Sequence, residues 1–416
     1  MQDDDDIAGL PRGVFCAMMR RRRLVVVRAA LRARRQASGP RGPKRQRDRV
    51  DWQDYVDRTS PKEFRAAFRM TLESFNVLLD VIRPHISAKE PAKASGNSGV
   101  IVPEVRLAVA LRVLAGGSLH DLKMAWHIYS RNEIYHSLWL VVDAINAAPE
   151  FAFSGVPFDD VDALNELEQE FAALCPAQVI RGAVFALDGC VFWQKNPGRA
   201  VHNPSRYHCE RKKMYGLLVM AACSAKRKIL WFDCSHTPTT HDHTAFCHTD
   251  FGAQIRDGRL PDGLFGLGDS AFVCGKSLIT PGGNDDFNFL QSSLRINIEC
   301  VFGEVVRRWG ILWRPLEVEF KKRSLVLAAV FRLHNFCLDQ REQLEEYAER
   351  WSDTRKKYSP KPFLDSDGLP ASQLLSTWSH TLGKCEEGAL KTRDTSLRDQ
   401  LEDRVRAAGV RRPATR

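Results

Sequence analysis

At 416 residues, with a hydrophobic fraction of 44% and a net charge of +10, the chain is long enough for a large core and two or three domains. Apolar runs such as 325–331 and 24–27 fall far short of the ~18 residues that cross a bilayer, and no secretory segment is expected at its start. Eleven cysteines without a C-x-x-C pair argue against a disulfide framework and for reduced thiols in an intracellular protein.

Residues 1–50 read as a disordered basic arm, with 24–35 as a candidate helix. Between Arg20 and Arg49 lie thirteen Arg or Lys and one acid, Asp48. That is a net +12 against +10 for the whole chain, which leaves the remainder near −2. The basicity therefore belongs to the arm and not to the body. Such an arm suits phosphate backbones or nuclear import. A solvated tail with no partner is the plainer alternative. The acidic run at 3–6 argues against a mitochondrial presequence.

Residues 51–175 carry a helical period. In EFRAAFRMTLESFNVLLDVIRPHI, apolar residues at 64, 68, 72, 75, 78, 79 and 82 form one helical stripe. Pro84 and the following AKEPAKASGNSG mark a loop. Three helical segments come next: VPEVRLAVALRVLAGG, SLHDLKMAWH and RNEIYHSLWLVVDAINAA. Gly116 and Gly117 end the first, and Ser118 caps the second with Asp121 three residues on. The last two, joined at 128–130, have the lengths and spacing of a helix-turn-helix. The later one would be the recognition helix, presenting Arg131, Asn132 and Tyr135 to DNA. Any small helical bundle shows similar spacing.

After a linker around Pro176 the period changes to that of strands. VIRGAVFALDGCVF, MYGLLVMAACS and KILWFDCS read as strands, the last two joined by a turn at Ala225, Lys226 and Arg227. A helix is predicted over 243–257, a strand at LFGLGDSAF, and a loop rich in Gly, Asn and Asp up to Asn288. Helices are predicted over 293–309 and 323–339. This order predicts an α/β class, an RNase H-like mixed-sheet core at 176–340 behind an all-α, helix-turn-helix-like domain. Residues 341–416 read as a charged tail, helical or disordered.

Three runs each set one carboxylate in an apolar context: VFALDGC at Asp188, FGLGDSAF at Asp269 and SLRINIECVFG at Glu299. A buried carboxylate is costly unless something pairs with it, and a divalent cation is a common partner for several that converge. Two Asp on strands and a Glu on a later helix form a ligand set for two-metal phosphodiester chemistry. Asp269 lies near a strand's carboxyl end, where ligands collect in open α/β sheets. Glu299 flanks the core stripe of its helix, and Gly303 one turn on clears space beside it. Arg295, one turn back, can pair with Glu299 or with a phosphate. Three unrelated structural acids are the alternative.

Asp242 is a fourth candidate, as a ligand or as a helix cap. His243 and Cys247, four apart, have a zinc-like spacing without a second pair; His236, His241 and His248 lie in the same segment. Arg211, Lys212 and Lys213 precede a strand and can hold a DNA backbone beside the acids. A solvated hairpin end is the alternative.

Taken in order, LDGC, ERKKMYGLLVMAACS, THDHTAF, LGDSAF, FNFLQSSLRINIECVFGEVVRRWGIL and LHNFC resemble the motifs of PIF/Harbinger transposase-derived nucleases, which are DDE superfamily endonucleases. The resemblance covers 64–340 and is strongest over 184–338. It implies Asp188, Asp269 and Glu299 as catalytic residues and metal ligands, with Asp242 as a further ligand or neighbour. Mg2+ or Mn2+ is the implied cofactor. The implied reaction is hydrolysis of DNA phosphodiester bonds, followed in a full transposase by strand transfer. The expected partners are DNA and a Myb-like DNA-binding protein, with a homo-oligomer open. The expected location is the nucleus, or the cytoplasm without that partner. The chain departs from the family at Cys190, where Thr commonly follows Asp-Gly, and in an Asp269 to Glu299 separation of only 30 residues. These departures keep a second reading open, a domesticated and catalytically silent DNA-binding or protein-interaction factor.

Overall fold

The structure is a computed structural model that describes residues 50–87, 101–128, 130–341 and 393–412. The predicted arm, its helix at 24–35 and most of the tail lie outside the described residues. All described residues belong to one compact unit.

Helices α1 (Trp52–Arg58), α2 (Pro61–Phe68) and α3 (Leu72–Ile86) come first. The stripe read over 64–82 is split between two of them. Arg69 turns left-handed at φ 68° and ends α2, and Thr71 restarts the helix by accepting the Ser74 N–H. The two helices keep one buried face, with Phe64, Phe68, Phe75, Leu78, Leu79 and Ile82 in the same core. Pro84 lies in the last turn of α3, not in the predicted loop, and the helix stops two residues later at Ile86. A proline in the helix interior removes a backbone donor, so its place near the end limits the loss.

Next come α4 (Pro103–Leu114), α5 (Leu119–Trp126), α6 (Arg131–Ala147) and α7 (Val161–Leu174). Gly116 ends α4 at φ 91°. Ser118 caps α5 by accepting the Asp121 N–H at 3.1 Å, as its sequence predicts. Within the span read only as helical, α7 is a separate amphipathic helix capped by Asp160.

The sheet contains β1 (Ala183–Trp193), β2 (His208–Cys209), β3 (Met214–Cys223), β4 (Ile229–Asp233), β5 (Phe265–Leu267) and β6 (Leu278–Ile279). β3 pairs antiparallel with β1, β4 and β2. β5 runs parallel to β1, and β6 parallel to β5. The order β4-β3-β1-β5-β6 is the RNase H-like mixed sheet. β6 lies where a loop is predicted; two residues are too few for any period to show. Between β4 and β5, α8 (Asp242–Cys247) and α9 (Asp250–Arg256) replace the single predicted helix. Thr249 caps α9, and a Cβ on Gly252 would fall 2.0 Å from the Phe246 carbonyl oxygen. Only glycine permits so close a turn.

α10 (Asp285–Arg308) begins inside the predicted loop. Asn284 caps it by accepting the Phe287 N–H at 3.0 Å, and Asp285 and Asp286 suit its positive end. α11 (Arg323–Asp339) has the predicted bounds, and α12 (Ser396–Ala407) is the described helix of the tail.

Side chains of β1 alternate between two cores. Ala186 and Phe192 pack with α10, α11 and the N-terminal helices. Phe185, Leu187 and Val191 pack with α7, α8 and α9. The same parity sends Asp188 toward α10 and the Gly189 position toward α8.

Candidate active site

Asp188 lies mid-strand in β1, opposite Ala221 of β3. On its other side Leu267 of β5 pairs with Ala186. Two residues beyond each of these stand Asp269 and Asp188, so adjacent parallel strands bring both acids together beside the carboxyl end of β5. Asp269 leaves the strand in a tight turn, its Oδ1 accepting the Ala271 N–H at 2.9 Å.

Glu299 reaches this place through Arg295. Arg295 Nη1 lies 2.7 Å from Glu299 Oε1 and 3.5 Å from Asp188 Oδ2. The Arg295 and Asp188 side chains are 15% and 17% exposed, while Glu299 is 49% exposed. One guanidinium thus joins the first and third predicted catalytic acids. A Cβ on Gly303 would touch nothing within 4 Å, so the helix is open one turn beyond Glu299.

Asp242 arrives from the opposite side of β1. It is the first residue of α8, and His241 is the cap position. Asp242 Oδ1 lies 2.9 Å from where a Cβ on Gly189 would stand. The glycine after Asp188 is therefore what lets a second carboxylate approach the strand. Nothing in the sequence alone links Gly189 to Asp242, because the link needs the sheet's parity and the placement of α8.

The acids repel one another. Burial, then the neighbouring Asp269, pushes the Asp188 carboxyl up to about 7; the Gly189 N–H and Arg295 oppose this. Burial and Asp269 also raise Asp242, against Arg211, His241 and Lys212. Arg211 and Lys212 thus stand close enough to act on the acid cluster, whereas Lys213 pairs with Glu210 at 3.3 Å. Buried carboxylate oxygens in excess of nearby cations suit a divalent ion in charge and donor type. The side chains are not closed on one point: among the described residues no three His, Cys, Asp or Glu are placed to hold a metal. Arg295 supplies the counter-charge between Asp188 and Glu299.

Two side-chain amides, Gln291 buried and Asn288 half-buried, support these elements, and sequence reading missed both. Gln291, one turn before Arg295, donates Nε2 to the Gly268 carbonyl at 2.7 Å and so ties α10 to the residue before Asp269. Asn288 accepts the Gly282 N–H at 2.7 Å and donates to the Gly282 carbonyl at 3.0 Å. A polar residue on the core side of an apolar helix was the available signal.

The remaining candidates lie apart. Cys247 Sγ is 3.5 Å from His243 Nε2, and no third ligand joins them among the described residues. Arg131, Asn132 and Tyr135 are exposed on the first turns of α6; α5 and α6 are separate helices with His127 left-handed at φ 51° between them.

Residues 187–335 match the model of the DDE superfamily endonuclease family. The match takes in Asp188, Asp242, Asp269 and Glu299 and ends at Asn335. Over 325 residues the chain is 19% identical to Protein ALP1-like of Arabidopsis thaliana, spanning 71% of this chain and 76% of that protein. No solved structure matches the chain significantly. The segment that resembles DDE superfamily endonucleases, 187–335, thus includes strands of the RNase H-like sheet, and the resemblance is the one the motifs implied.

Proposed function

We propose that the chain is a divalent-metal-dependent DNA endonuclease of the Harbinger transposase type. The observation that carries this reading is the crowding of Asp188, Asp242 and Asp269 beside the carboxyl end of β5, with Asp188 pushed up to about 7 by burial and Asp269. A site built only for stability would not leave mutually repelling acids half-compensated.

In this reading 51–175 is the DNA-binding domain, 176–340 the nuclease and 1–50 a basic arm, with a tail at 341–416. Asp188, Asp269 and Glu299 would hold Mg2+ or Mn2+, with Asp242 as a fourth ligand or neighbour. A metal held there would supply a nucleophilic water at neutral pH and charge stabilisation for the leaving oxygen. The chain's own residues supply orientation. Asp188 is fixed by strand pairing, Asp269 by the turn that follows β5, and Gln291 holds the carbonyl before Asp269. Arg295 is placed to exchange Glu299 for a phosphate oxygen. Arg211 and Lys212 hold the DNA backbone beside the acids. Lys213 contributes to the same basic loop. Arg131, Asn132 and Tyr135 contact DNA away from the cut. Strand transfer, a Myb-like partner, a homo-oligomer and a nuclear location are carried by the resemblance and the basic arm.

The test is nicking of supercoiled plasmid with Mg2+, Mn2+ or chelator. Wild type is expected to cut with metal only, and Asp188→Asn not at all. A second reading, a silent DNA-binding factor, is favoured by the Arg295 bridge and the unclosed carboxylates. It predicts DNA binding with no cutting under either metal.

A further inference from the structure

The segment linking Asp269 to the helix of Glu299 is gripped by a helix more than a hundred residues later. The Asp394 N–H donates to the Cys274 carbonyl at 3.1 Å. Arg398 Nη1 donates to the Pro281 carbonyl at 3.3 Å. The Arg412 N–H donates to Asp286 Oδ1, in the first turn of α10, at 2.7 Å. Between these points Leu401 and Val405 are 0% and 1% exposed and belong to the main core. Two charged side chains of α12 are buried as well, Arg398 at 7% and Glu402 at 6% exposure. Glu402 Oε1 lies 2.1 Å and Arg398 Nε 2.8 Å from where a Cβ on Gly282 would stand. Gly282 is the residue that Asn288 holds from the other side through both of its backbone groups.

We propose that residues 393–412 are a clasp that positions Asp269 relative to Glu299, with Arg398 and Glu402 as its positioning residues. This rests on the nuclease reading for its catalytic consequence. The grip falls on both ends of the 274–286 stretch and on the start of α10. It therefore acts on the one connection whose path sets the distance between the second and third acids. That connection is short, and its only strand is the two-residue β6, so its own ladder gives it little rigidity. Arg398 Nε and Glu402 Oε1 lie 3.8 Å apart; a buried Arg–Glu pair of this kind contributes little net stability for its desolvation cost, but it can fix one docking register. This matches a positioning element better than a general prop.

The test uses the full chain with Arg398→Leu, the conservative Arg398→Lys, and Gly282→Ala, which leaves α12 unaltered and pushes only on the clasp. Amide exchange is measured along the chain, and kcat and KM are measured for plasmid cleavage. Arg398→Leu and Gly282→Ala are expected to speed exchange within 274–288 while β1, β3 and α11 keep their protection. Their kcat should fall by about tenfold to a hundredfold, the range a small misplacement of reacting groups produces, with KM for DNA unchanged. Arg398→Lys should recover part of kcat. Unchanged exchange at 274–288 overturns the proposal, and so does a loss of protection spread evenly over the core. A fall in affinity with kcat intact also overturns it. If wild type does not cut DNA, the nuclease reading fails, and the exchange pattern alone decides whether the clasp exists. If Arg398→Leu does not fold, Gly282→Ala gives the same decision.

Discussion

The β3–β4 hairpin and the middle of β1 beside the carboxyl end of β5 both bury polar side chains, in opposite ways. At the hairpin every group has its complement. Asn335 donates to the Ile229 carbonyl and accepts the Ile229 N–H, both at 2.8 Å. His334 Nε2 donates to the Arg227 carbonyl at 3.0 Å. Arg227 is ion-paired with Glu304 and also donates to Asn297, and Lys228 holds Asp339 at 2.8 Å. Around Asp188, Asp242 and Asp269 the direct ion pairing is sparser, and one guanidinium, that of Arg295, serves two carboxylates, Asp188 and Glu299. A closed network fixes a hairpin. An open one, with charge left over, is a place prepared for something that arrives later.

The largest effect should separate these regions by activity. Asp188→Asn or Asp269→Asn should lower metal-dependent DNA cleavage by about a thousandfold or more, which is ~4 kcal/mol of transition-state stabilisation. Without metal neither change should lower the melting temperature, because each removes a repelling charge. Unfolding of both variants would place these acids with the hairpin network instead. The reverse pattern is expected at Asn335. Replacing it with Ala leaves two buried backbone groups of Ile229 without partners and should cost roughly 2–4 kcal/mol in urea unfolding. Specific activity of the folded fraction should be kept.

Gly189→Ala sharpens the contrast further. Its Cβ would meet Asp242 Oδ1 and Met220 Sδ, at 2.9 and 3.1 Å. Overpacking of this kind should cost about 1 kcal/mol and lower kcat by roughly tenfold. Kinetics that match wild type would remove Asp242 from the site.

The two regions should also respond to pH with opposite sign. The Asp188 value of about 7 in the folded protein lies above that of an unfolded carboxylate. Between pH ~4 and 7 the folded state therefore holds a proton that the unfolded state has released. Stability from this group falls as pH rises through that window in the presence of chelator. Burial holds His334 down near about 4, below an unfolded histidine at ~6.5. Its contribution is present above pH ~6.5 and is lost as pH falls toward 4. Urea midpoints across pH 4–8 for wild type, Asp188→Asn and His334→Gln check both signs. The Asp188→Asn gain should grow with pH, and the His334→Gln deficit should shrink in acid.

The smallest effect belongs to the exposed candidates. Arg131→Ala should change stability by less than about 0.5 kcal/mol. If it contacts a phosphate, it should lower the salt slope of DNA binding by about one.

Much of this was legible because it is periodic or locally coded. The strands β1, β3 and β4 follow from apolar runs, the α5 cap from Ser118 and Asp121, and α11 from its stripe. Asp188, Asp269 and Glu299 were visible as acids in apolar settings, and the motifs named their family. What was missed depends on contacts between distant elements. The break at Arg69 is a left-handed residue inside an unbroken stripe. β6 exists because the Gly268 N–H donates to the Ile279 carbonyl at 3.0 Å, and its two residues carry no pattern of their own. The start of α10 hides in a run of Asn and Asp that reads equally as a loop or as a cap with an acidic first turn. The roles of Gly189, Gln291 and α12 emerge only when the sheet sets their neighbours.

The central claim is that the surplus charge at Asp188 is there to receive a divalent cation. Its most direct test is the unfolding free energy of wild type and Asp188→Asn at neutral pH, titrated with Mg2+ and Mn2+. Wild type should gain stability with metal, by ~2.7 kcal/mol at a hundredfold excess over the dissociation constant, and Asp188→Asn should gain little. An equal gain in both proteins, or none in either, would contradict the account.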